Sequence, residues 1–188
     1  MAVNKIYGWD DVRYLIIFGL CVCFAANALA VDLESNVKDF VKSKDWYSFS
    51  IADTFFGSTV GTRAATEDKR IDATLALNYI ANNKCVPESV EIIYKTNSVA
   101  EEDTKNTIYG NIQLDGSNAN RVMASLHEQE GSEFVFIVVD DKYFDEKIKN
   151  GNSLFVNFKG FGVAEFSLAG AKKAIEKARS DCKDHVYE

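Results

Sequence analysis

The sequence predicts a mainly β domain with some α. The expected form is an antiparallel β-sandwich or open barrel, with an N-terminal helix and a C-terminal helix packed on the sheet. Three observations predict it. Short segments of β-type patterning recur along the chain, parted by turns rich in Gly, Asn and Asp. Helical periodicity is strongest at the two ends of residues 31–188. Nowhere do strands and helices alternate as a parallel nucleotide-binding sheet requires.

The first thirty residues are predicted to lie outside that fold. Arg13 precedes the apolar run Tyr14–Ala25, and Ala28 and Ala30 give a small-x-small site before Val31. This is the pattern of a secretory signal peptide cleaved after Ala30. The apolar run is shorter than the ~20 residues of a spanning helix, so no stable membrane span is expected after cleavage. Residues 31–188 then form a single β-rich domain, long enough to bury a core.

The elements follow in order. Leu33, Val37, Phe40 and Val41 fall on one helical face, predicting a helix over 31–43. Trp46–Ile51 reads as a strand, and a second is expected near Thr59–Ala65. In 71–79, Ile71, Ala73, Leu75, Leu77 and Tyr79 face one side and Asp72, Thr74, Ala76 and Asn78 the other, the mark of a half-buried strand. Ser89–Lys95 completes a hairpin with it, Cys85 lying in the connection. Residues 97–106 read as a polar loop, 107–114 and 121–129 as strands around the turn at Asp115–Asn118. Phe134–Val139 is apolar throughout and should be buried on both faces. One or two helical turns are expected in 142–151, then strands at 153–160 and 163–168. Ala171, Ala174, Ile175, Ala178 and Cys182 make the stripe of a final helix.

Composition narrows the partners. The net charge is −7, and it stays so without residues 1–30, where Lys5 and Arg13 balance Asp10 and Asp11. An acidic surface argues against nucleic acid and anionic membranes and suits a cationic partner. Cys21 and Cys23 would leave with the leader, so Cys85 and Cys182 remain, 97 positions apart. In an exported protein two cysteines more often pair than not; the alternative is a free thiol at one of them.

Catalytic and metal-binding equipment is sparse. His127 neighbours Glu128 and Glu130, which would suit a general base, but it reads more simply as an exposed strand-end residue; His185 lies close to the end. There is no G-x-S-x-G, no H-x-x-x-H and, after residue 30, no C-x-x-C. Asp115–Asn120 and Asp140–Glu146 are rich in oxygen ligands but lack the EF-hand spacing. No catalytic residue, cofactor or metal site is therefore assigned. Ser167 is expected to cap the last helix, a site that could otherwise hold an anion. The aromatics at glycine turns, Phe55, Phe56 and Phe161, are either core or contacts for a partner.

Residues 147–182, KIKNGNSLFVNFKGFGVAEFSLAGAKKAIEKARSDC, end in an aromatic-x-apolar-x-glycine strand, Phe166, Leu168 and Gly170, with Cys182 twelve residues on. This stretch resembles the end of small exported β-rich proteins of Gram-negative bacteria, the invasion-associated locus B type and accessory proteins of type VI secretion. The chain departs from the locus B pattern in having fewer cysteines, and its N-terminal helix has no counterpart there. The resemblance implies a periplasmic, non-enzymatic binding or accessory role and no catalytic residue.

The functional expectation is a periplasmic or secreted binding protein whose partner is another protein of the envelope or exterior. Two alternatives accompany it: an inhibitor or immunity protein against a cationic hydrolase or toxin, and an envelope hydrolase using paired carboxylates. Oligomeric state is not legible in the sequence.

Overall fold

The computed structural model describes residues 18–19, 30–31, 36–53, 58–68, 70–141 and 143–184. Phe18–Gly19 (β1) and Ala30–Val31 (β2) form a separate two-residue antiparallel ladder. The remaining strands are Val37–Ser43 (β3), Trp46–Ala52 (β4), Thr59–Asp68 (β5), Ala73–Tyr79 (β6), Pro87–Lys95 (β7), Thr104–Leu114 (β8), Asn120–Glu128 (β9), Phe134–Val139 (β10), Ser153–Phe158 (β11) and Gly162–Ser167 (β12). They make one ten-stranded sheet in the order β12-β11-β8-β9-β10-β7-β6-β5-β4-β3, antiparallel at every pairing. Among the described residues, Phe144–Ile148 (α1) and Ala171–Asp184 (α2) are α-helices. The mainly β, antiparallel fold with a C-terminal helix on the sheet is thus as predicted.

The helix predicted over 31–43 is corrected over its second part: Val37–Ser43 is a strand, whereas Asn36 is helical and residues 32–35 of that stretch lie outside the described residues. The cause is a β-bulge between Lys38 and Val41, where Asp39 takes φ 53°. One extra residue breaks the period-two rhythm. It leaves Val37 opposite Ile51 and Val41 opposite Ser48, so apolar residues three and four apart mimic a helical stripe.

The larger core lies on one face of the sheet. Trp46, Leu75, Leu77, Tyr79, Ile92, Ile137, Leu154, Val156, Phe158 and Phe166 form one cluster with the apolar side of α2, Ala171, Ala174, Ile175, Ala178 and Cys182. Fully burying such side chains contributes roughly 1.5–3 kcal/mol each. A second cluster, Tyr47, Phe49, Ile51, Ala65, Ala76, Ile93 and Phe136, occupies the opposite face. The half-buried reading of β6 is therefore corrected, since all seven residues of Ala73–Tyr79 are buried. The two-sided burial expected of Phe134–Val139 holds: Ile137 and Val139 join the first cluster and Phe136 the second.

The last strand is tied back to the first ones. Trp46 Nε1 donates to the Ser167 carbonyl at 2.8 Å, and the Glu165 N–H donates to the Asp68 carboxylate at 2.6 Å. Thr62 Oγ1 donates to the Ala178 carbonyl of α2 at 2.6 Å. Gly170 makes the turn into α2 with φ 98°, and a Cβ there would stand 1.9 Å from the Ser43 carbonyl oxygen. Only glycine fits so close an approach of backbone to backbone.

Cys85 follows the 3-10 turn Ala81–Asn83 and is bonded to Cys182 of α2, with Cα atoms 5.8 Å apart. Lys84 and Cys85 both have positive φ, so the connection between β6 and β7 is bent to present the sulfur to the helix. The bridge fastens the hairpin of β6 and β7 to the far end of the chain.

Candidate functional site

Most ionisable side chains that the fold buries are used to hold it. Arg63 sits across β5–β7 on the face of the second cluster, donating to Asn78 Oδ1 at 2.6 Å and pairing with Glu91 at 3.0 Å. Both members of that pair are essentially unexposed. Burial pulls the Arg63 guanidinium below its ordinary pKa, and the Glu91 charge opposes the shift. Beside it, burial raises the Tyr47 phenol, and its hydrogen bond to Glu67 adds to the rise.

Asp145 of α1 is also buried. It accepts from Tyr79 Oη at 3.2 Å and pairs with Arg179 of α2, which reaches Glu146 as well. Asp68 receives Arg70 and the Glu165 N–H. Burial alone would raise the Asp68 carboxyl, but these donors outweigh it and hold the group below the usual carboxylate range. The registers that place Arg63 beside Asn78 and Ala76 beside Glu91 are long-range, which is why no local motif announces this network.

The residues singled out from sequence separate in space. Cys85 and Cys182 are joined. Phe161 is half-buried in the turn between β11 and β12, its ring 5.1 Å from that of Tyr94, and it packs against the larger core. Phe55 and Phe56, like His185, lie outside the described residues. His127 faces Lys105 across the ladder, and burial together with that lysine lowers its pKa. Glu128, its neighbour in sequence, accepts from Thr104 Oγ1 at 2.7 Å. Asp115 accepts the backbone N–H groups of Asn152 and Ser153 at 2.7 and 2.8 Å, which lowers its pKa and ties one turn to the next. Ser167 is not the helix cap: it lies four residues before α2, accepts from the Ala169 N–H and donates to Asp45.

Among the described residues, a concave surface lies elsewhere, between the edge strand β3 and α2. Asp39, Phe40 and Val41 line one side of a groove of about 380 Å³, and Lys177, Asp181 and Asp184 the other. Asp39 reaches it because the bulge turns the strand there. Phe40 stacks on Tyr47 at 5.7 Å between ring centroids, yet it remains 49 % exposed. Lys177 is already engaged with Asp181, at 2.5 and 2.6 Å. The groove can therefore accept hydrogen bonds and positive charge next to apolar surface. Sequence reading missed it because the spacing of Asp39 from Asp184 says nothing of their proximity. The cue available was the i, i+4 pair Lys177–Asp181 on the polar side of the final helix. No protein-family profile, curated protein or solved structure matches this chain.

Proposed function

We propose that this chain is a non-enzymatic binding protein of the cell envelope or exterior, exported by its N-terminal segment and closed by the Cys85–Cys182 bridge. The observation that carries the reading is the pairing of that bridge with an open groove at β3 and α2, on a scaffold whose buried charges are held by partners. A disulfide fastening hairpin to helix suits an oxidising compartment. The resemblance of residues 147–182 to exported β-rich proteins of Gram-negative bacteria points the same way. A single ten-strand ladder, with β12 tied back to β4 and β5, supports the open-barrel form of the scaffold rather than a sandwich.

The test is cross-linking in an exporting Gram-negative host that makes the chain from its own leader. The expected result is a discrete protein adduct in the envelope fraction or medium, weakening as salt rises. Absence of any adduct at every salt concentration, with the protein retained in the cytosol, would refute the reading. The acidic groove favours one narrower version, an inhibitor or immunity protein against a cationic hydrolase or toxin. Lysozyme-type activity unaffected by excess protein at low salt would count against that version.

A further inference from the structure

We propose that the face of the sheet turned away from α2, over β4, β5, β6, β7 and β10, is a docking surface for an apolar chain segment. Its occupant before cleavage is this chain's own run Tyr14–Ala25, and removal of residues 1–30 lays the face open. The inference rests on the export and cleavage read above and adds where binding would occur. The second cluster consists of strand residues on one side of one sheet, Tyr47, Phe49, Ile93 and Phe136 among them. Arg63 and Glu91 stand on the same side, opposite Phe49 and Ala76. Phe49 is 2 % exposed, Phe136 3 % and Arg63 0 %. Side chains on one sheet face shield each other's flanks but not their tips, so burial this deep requires a second layer. Two strands further along, the same side shows the contrast. His127 faces Phe136, which puts Met123 and its partner Tyr109 on this side, and they are 64 % and 52 % exposed. That is how an uncovered face looks, so the second cluster has a cover.

The elements already placed do not supply it. The apolar residues of α1 and α2 belong to the first cluster. Val37 packs against the second cluster and Phe40 stacks on Tyr47 and Phe49, but both come from β3, which borders the face at one edge. The connection 96–103 is bonded to the turn at 131–133 and leaves Val99 exposed. The connection 53–58 must return to β5, so its six residues reach about 10 Å out, half of the roughly 19 Å across five strands. The chain before β3 is long enough and arrives at this face. Val37, which packs on the cluster, is the first residue of β3. Phe18 of the run pairs with Val31, so the run turns back toward that point. The twelve residues of Tyr14–Ala25 carry no charge, and extended they span about 40 Å, enough to cross the face. An apolar cover also suits the polar centre of the face. Arg63 is bonded to Asn78 and Glu91, so the cover need not bring a counter-charge.

The test compares two oxidised chains by methyl NMR with a soluble paramagnetic agent. One is the cleaved chain from the exporting host. The other keeps residues 1–30 through Ala28→Leu/Ala30→Leu, which removes the small-x-small site. Ile51 and Ile93 report the second cluster, and Ile137 and Ile175 of the first cluster are the internal control. In the retained chain all four should keep their signals. In the cleaved chain Ile51 and Ile93 should lose theirs to the agent, while Ile137 and Ile175 keep theirs. A peptide of residues 14–25 with three lysines at each end, added to the cleaved chain, should restore the two lost signals. Should the cleaved chain not fold, Ile17→Asp/Leu20→Asp in the retained chain should produce the same selective loss. Ile51 and Ile93 protected without the run, accessible with it, or unaffected by the peptide would overturn the proposal. Failure of cleavage itself shows separately, in the intact mass. Failure of the docking face would leave the cross-linking test of the wider role standing, since cross-links report a partner wherever it binds.

Discussion

Removing the Cys85–Cys182 bridge should cost this protein about as much as a large core truncation. The bridge closes a loop of 97 residues in the unfolded chain. In the chain-entropy treatment a loop of that length contributes about 4.7 kcal/mol at 25 °C. Both cysteines are 2 % exposed and pack in the larger core, so replacing them also loses buried apolar contacts. The variant Cys85→Ala/Cys182→Ala avoids leaving a buried hydroxyl. Urea unfolding of this variant and of the oxidised protein should differ by about 3–5 kcal/mol, and the variant should melt roughly 10 °C lower. Its m-value should rise, because an unfolded chain freed of the cross-link exposes more surface. A loss below about 1 kcal/mol with an unchanged m-value would refute the reasoning, since it would mean the bridge constrains neither state.

Three further outcomes test other parts of the account. Gly170→Ala places a Cβ 1.9 Å from the Ser43 carbonyl oxygen at φ 98°, and thermal melts should show a loss of about 3 kcal/mol or more. Gly116→Ala, at φ 70° with open space around it, should cost only about 1 kcal/mol. Arg63→Met alone leaves the Glu91 charge buried and should cost about 3–5 kcal/mol, while Arg63→Met/Glu91→Leu should recover most of that; a double-mutant cycle reads the coupling. For pH dependence, the Asp68 carboxyl is held below its unfolded value of about 3.9, so its contribution is complete above that pH and fades as pH falls through the native value. Stability measured from about pH 6 downward should therefore fall less steeply in Asp68→Asn than in the unmutated protein.

Much of the scaffold was legible because its signals are local. Period two located β6, unbroken apolarity located β10, and the stripe Ala171–Cys182 located α2. The bridge followed from there being two cysteines after residue 30. What failed locally failed for a physical reason. A single bulged residue turned β3 into an apparent helix, because a strand with one insertion and a helix both bring residues 37, 40 and 41 into play. Asn78 falls on the outer side of the strand read as half-buried, yet it and Glu91 are both satisfied by Arg63 from another strand, and only the assembled sheet shows it. The groove is a meeting of residues 39–41 with 177–184, a separation no motif spans.

The central claim is that this is an exported binding scaffold closed by one disulfide, and the mass of the protein recovered from its host tests it most directly. Intact mass and a non-reduced peptide map should give a chain beginning at Val31, with the Cys85 and Cys182 peptides linked and two hydrogens lighter than the reduced form. A chain found in the cytosol with residues 1–30 retained and both thiols free would contradict the account.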